Sequence, residues 1–150
     1  MSLSALQVGP AIMYGGVVLG LGYVTFVHEK HEPSWKIPAI MSAGFWAFTV
    51  FTVYKEGVLG VIPNHTSNYW GNQVWYDLLY SVGLFWFALV RRAKNVGMRL
   101  FPWFVYVLST ASIGGLHMYA RILYLEEQRD AVEGASSGPA HAKTGLIRNT

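Results

Sequence analysis

The chain has no cysteine and little charge, with Asp, Glu, Lys and Arg together making up 13% of its 150 residues. Without cysteine it can form no disulfide, no thiolate metal site, no haem link through Cys-x-x-Cys-His and no thiol nucleophile. Soluble domains carry about a quarter of their residues as charges, so a solvated surface of the usual kind is also missing. The familiar catalytic signatures are absent: no glycine-rich phosphate loop, Gly-x-Ser-x-Gly elbow, His-Glu-x-x-His helix or paired catalytic carboxylates. The reading that follows is of a protein that is not an enzyme. Lys and Arg (11) outnumber Asp and Glu (8), but they bunch between apolar stretches and form no stripe, which argues against nucleic acid as a partner.

What is present is apolar. Hydrophobic residues make up 53% of the chain and aromatic residues 15%, the balance of a polypeptide whose solvent is lipid. A hydrocarbon core about 30 Å thick needs roughly 17 to 25 apolar residues per helix, and residues 9–27, 37–54, 74–90 and 100–120 meet that length. The predicted fold is therefore all-α: an integral membrane bundle of about four transmembrane helices over residues 1–127, followed by a flexible C-terminal tail over residues 128–150. Residues 1–7 hold no Lys or Arg, so the first stretch reads as a retained span and not as a cleaved signal. The tail includes Gly134-Ala135-Ser136-Ser137-Gly138-Pro139, a composition that cannot bury enough apolar surface to order itself.

Orientation follows from basic residues near span ends. With four spans, Lys30, Lys36, Arg91, Arg92, Lys94 and Arg99 share one face, against Lys55, Arg121 and Arg129 on the other. The first face is then cytoplasmic, stromal or matrix, and both termini lie opposite. Trp35, Trp70, Trp75, Tyr76 and Trp103 fall near predicted interfaces, where amphipathic rings concentrate.

Two ionisable residues interrupt the spans, Asp77 near the start of the third and His117 near the end of the fourth. Because consecutive spans run antiparallel, the two positions come to similar depth on one side, where they can meet. Arg121 lies on the helix face of His117, and Gly114 one turn earlier removes bulk where another backbone can approach. Asp77 and Ser81 form the facing polar edge, and the plainest role of the cluster Asp77, Ser81, Gly114 and Arg121 is to lock the third and fourth helices together. As the intramembrane histidine, His117 is also the candidate cofactor ligand, to haem iron or chlorophyll magnesium. His28 and His31 with Glu29 and Glu32 have metal-like spacing but no fourth ligand, and read as a solvated turn. Gly16-x-x-x-Gly20 in the first span is a small-residue helix-packing pattern. Asn64-His65-Thr66 matches a glycosylation acceptor, which matters only on the secretory route.

Asp77-Leu78-Leu79-Tyr80-Ser81, Phe85-Trp86, Lys94, Met98-Arg99, Trp103, Tyr106-Val107, Ile113-Gly114-Gly115 and Leu123-Tyr124-Leu125-Glu126-Glu127 together resemble a family of small multi-span membrane proteins of unknown function from cyanobacteria and plastid-bearing algae. The run covers about residues 77–127 and departs from the family where His117 and Arg121 stand in place of proline and arginine near the last helix end. The resemblance implies an energy-transducing membrane, foremost the thylakoid. The expected function is a non-catalytic accessory subunit of a photosynthetic complex, a photosystem or its antenna, packed against other subunits, lipids and chlorophyll or carotenoid. Three alternatives stay open: an accessory subunit of a respiratory complex in the mitochondrial inner membrane, a small proton or anion transporter, and a haem- or quinone-binding membrane anchor.

Overall fold

A computed structural model describes residues 5–26 and 34–137. Among these residues the protein is wholly helical, with α1 (Ala5–Phe26), α2 (Lys36–Glu56), α3 (Val61–Thr66), α4 (Tyr69–Asn95), α5 (Leu100–Thr110) and α6 (Ser112–Ser137), and a 3-10 turn at Val58–Gly60 before α3. The chain divides into two compact units, Met1–Glu32 and Pro33–Thr150. The first contributes α1, a helix of 22 residues with Pro10 inside it. Gly16 and Gly20 lie one turn apart on this helix, as their spacing requires.

In the second unit α6 is the hub, touching α2, α4 and α5, whereas α2 and α4 make no contact with each other. Directions follow from paired residues. Phe85 of α4 packs against Gly115 of α6, and Arg92 of α4 meets Tyr119 and Glu126 of α6. Residue numbers rise together, so α4 and α6 run the same way. Against α2 the order inverts, since Ser42 meets Ile113 and Trp35 meets Tyr124. Helix α5 runs antiparallel to both its sequence neighbours, through Trp86 on Phe104 and through Trp103 and Tyr106 on His117.

Helix α5 therefore stops halfway, and the chain turns back as α6. Sequence reading gave one span over residues 100–120; the structure has two helices joined at Ala111, whose φ of 50° and ψ of −119° lie outside the helical region. The hydroxyls of Ser109 and Thr110 donate to the Tyr106 carbonyl at 3.0 and 2.7 Å, drawing the last turn of α5 back on itself. Close approach of the two backbones is possible because residue 114 has no side chain: a Cβ there would lie 2.8 Å from Val107 Cα and 3.0 Å from the Tyr106 carbonyl oxygen. With 11 residues, α5 is about 16 Å long, half the roughly 31 Å of α2 with its 21.

The other corners are conventional. Helix α4 ends in a Schellman motif, with Met98 N–H donating to the Ala93 carbonyl, Gly97 N–H to the Lys94 carbonyl, and Gly97 at φ +73°. It begins at Asn68, whose side chain accepts from Gly71 N–H at 2.8 Å. Any Cβ at Gly71 would sit 2.6 Å from the Asn64 carbonyl oxygen of α3.

Because α5 is short, packing is confined to one half of the unit. The core of Leu89, Ala93, Val107, Met118 and Ile122 lies beside α5, and no residue from 43 to 84 is buried. Helix α6 also continues beyond Glu127 to Ser137, so its last turns occupy residues predicted as tail. Good helix formers and the Arg129–Glu133 pair at i, i+4 support that extension. Residues 138–150 lie outside the described residues, as do His28, Glu29, Lys30, His31 and Glu32.

Candidate functional site

The reversal at Ala111 separates Asp77 and Ser81 from His117 and Arg121. Since α4 and α6 are parallel, Asp77 lies eight residues beyond Phe85 in one direction while His117 lies two beyond Gly115 in the other, an axial separation of roughly 15 Å. Asp77 is exposed and carries no hydrogen bond or ion pair with His117 or Arg121 among the described residues; Ser81, one turn on, is exposed beside it. The polar cluster is thus divided. Gly114 does serve close packing, but against α5 and not α4, and the contact with α4 belongs to Gly115, whose Cβ would lie 3.3 Å from the Phe85 ring.

His117 and Arg121 stay together, on the side of α6 that meets α2 and α5. They line an open cleft of about 280 Å³ with Trp35 and Ala39 of the α2 side and Ala120 and Tyr124 of α6. Trp35 stands edge-on to Tyr124 at 5.5 Å between ring centres. The Arg121 guanidinium lies 5.4 Å from the Tyr124 ring centre, a cation–π placement that leaves its edge available. No carboxylate pairs with it among the described residues. Arg92 differs, since its Nη2 reaches Glu126 at 2.6 Å and its Nε at 3.2 Å, a bidentate pair that fixes the α4–α6 register.

A hydrogen-bonded line leads into the cleft from behind. Trp46 Nε1 donates to Tyr106 Oη at 2.8 Å, and Tyr106 Oη stands 3.4 Å from His117 Nδ1. Indole N–H is only a donor, so the phenol oxygen accepts there; where the phenol in turn gives its hydrogen to His117 Nδ1, the neutral imidazole carries its proton on Nε2. Metal ligation through Nε2 needs the opposite tautomer, with Nδ1–H donating to an acceptor. Trp103 braces the imidazole edge-on at 5.7 Å.

Charge gathers at this end of the unit. Lys36, Arg91, Arg92, Lys94, Arg99, Arg121 and Arg129 all lie near the level set by the Arg92–Glu126 pair, while Lys55 is the cation at the far end among the described residues. The added reversal is what moves Arg121 and Arg129 to the same end as Arg92. Among the described residues no group of three or more His, Asp or Glu is placed to hold a metal ion.

Helices α2 and α4 are long and apolar enough to cross a membrane; the apolar stretches Val8–Tyr23 and Leu100–Thr110 are shorter. Compared with known protein families, curated proteins and solved structures, the chain matches none. Sequence reasoning missed Trp46 and Tyr106 as site residues, for their contact joins residues 60 apart and leaves no local pattern.

Proposed function

We propose that this protein is a non-catalytic accessory subunit of a large photosynthetic membrane complex, with α1, α2 and α4 crossing the bilayer and α5 and the first half of α6 forming a re-entrant hairpin. The apolar surface supports embedding: Phe48, Phe51, Leu79, Leu84, Phe87 and Phe101 are all exposed, far more apolar patch than a soluble monomer leaves in water. Non-helical backbone at membrane depth survives only where protein or a cavity shields it, and next to Ala111 the residues Ile113, Gly114 and Gly115 are buried. The basic end then faces the cytoplasm, stroma or matrix. The end of α6 at Ser137 shares that face, whereas four spans put the residues after the last span on the opposite face.

Asp77 carries the subunit reading. An exposed carboxylate about 12 Å along α4 from Tyr69 sits within the apolar layer, where an ionised group costs about 2.5–3.5 kcal/mol at the helix centre unless paired. No partner for it lies among the described residues, and in the proposed assembly a neighbouring subunit supplies the donor. The halves of α2 and α4 away from the basic end, unpacked against each other, offer the accompanying surface. The transporter alternative is weaker because Asp77, His117 and Arg121 do not converge. The family resemblance supplies the thylakoid setting and, with it, chlorophyll or carotenoid at subunit contacts; a mitochondrial complex is the same reading in another membrane.

Gentle solubilisation of the source membrane and native gel separation test the proposal. The chain is expected in a large, pigmented assembly, and Asp77→Leu is expected to free it. Recovery of the unaltered chain as a small colourless species would overturn the reading.

A further inference from the structure

The cleft between α2 and α6 is lined unlike the rest of the unit. It pairs an arginine that has no carboxylate partner among the described residues with a histidine backed by the Tyr106 phenol, and walls both with aromatic rings and alanines. We infer that it binds the phosphodiester headgroup of an anionic phospholipid from the leaflet at the basic end. The inference rests on the membrane embedding proposed above but not on the subunit assignment.

Four observations converge. Arg121 is stacked on Tyr124 and meets no carboxylate among the described residues, so its planar fork can take two oxygens of one phosphate. In contrast, Arg92 is held by Glu126 and Arg129 lies near Glu133. His117 stands one helical turn before Arg121 on the same cleft wall. Tyr106 Oη stands 3.4 Å from its Nδ1, and with the phenol donating there Nε2–H is the second donor to the phosphate. Ala39 and Ala120 leave the floor without bulk, an apolar bed for the glycerol and the first methylenes. Trp35 and Tyr124 meet edge-on beside it, the residue types that settle at headgroup level. At about 280 Å³ the cleft is at the lower limit of ligand sites, roughly 300 Å³, which suits a headgroup and not a tetrapyrrole. A free phosphate shares the anion chemistry but gains nothing from the alanine floor.

The full chain in mild detergent can be titrated by native mass spectrometry with phosphatidylglycerol and with phosphatidylcholine of the same acyl chains. Phosphatidylglycerol is expected to bind about tenfold more tightly, and Arg121→Gln to abolish that preference while Arg121→Lys keeps part of it. Lys94→Gln, an equal charge change outside the cleft, is expected to leave the preference intact. His117→Leu gives an independent reading should Arg121→Gln fail to fold, as judged by circular dichroism, and is expected to weaken binding severalfold. Equal binding of both lipids, an unchanged Arg121→Gln, or an equal loss in Lys94→Gln would overturn the assignment. So would displacement of the lipid by millimolar inorganic phosphate, which would mark a free-anion site. Failure here leaves the native-gel result standing, and the reverse.

Discussion

The two halves of the second unit are made of similar residues and behave differently. At the basic end, α4, α5 and α6 enclose Leu89, Ala93, Val107, Met118 and Ile122, and the Arg92–Glu126 pair ties α4 to α6 while the Ser42 hydroxyl on the Ile113 carbonyl at 3.1 Å ties α2 to α6. At the other end, α2 and α4 continue without touching, and Phe48, Phe51, Tyr76 and Tyr80 are exposed. In the proposed bilayer, apolarity alone does not create a core, because the tails are as apolar as the side chains. Close backbone approach and hydrogen bonds decide, and the α5–α6 hairpin supplies both at one end only.

The sharpest way to break this comparison is to exchange the properties of two neighbouring residues at the hairpin tip. Gly114→Ala adds a Cβ within 2.8 Å of Val107 Cα and is expected to cost about 2 kcal/mol by overpacking, seen as a lower melting temperature in detergent and a loss of helix contacts. Ala111→Gly relieves a non-glycine residue at φ 50° and is expected to stabilise by about 1 kcal/mol. In a continuous span over residues 100–120 both signs reverse, since alanine is the better helix former by about 1 kcal/mol. The unpacked half yields the smallest effect: Asp77→Asn in the isolated chain is expected to move stability by no more than about 0.5 kcal/mol. A drop of the size that follows loss of an ion pair would show that Asp77 is held within this chain after all.

Much of the architecture was legible because helix length and hydropathy are local. The predicted spans at residues 37–54 and 74–90 lie inside α2 and α4, and the charged corners fall where Gly97 and Asn68 terminate helices. The tip was not legible. Residues 100–120 satisfy the length of one crossing as well as two half-crossings, and Thr110-Ala111-Ser112 holds no proline or glycine to mark a break. Only Gly114-Gly115 hinted at close approach, and the hint named no partner. One missed reversal inverted the direction of α6, separated Asp77 from His117, and carried Arg121 to the opposite end. The pairing of His117 with Arg121 survived because i, i+4 spacing depends on the helix alone.

Site-directed labelling tests the reversal most directly, since the chain has no cysteine of its own. Single cysteines at Lys94→Cys, Ser67→Cys and Gln128→Cys can be probed in sealed vesicles with a membrane-impermeant maleimide. The account predicts that Gln128→Cys reacts from the same side as Lys94→Cys, with Ser67→Cys on the other. Reaction of Gln128→Cys from the side of Ser67→Cys would contradict it, restoring a single span over residues 100–120.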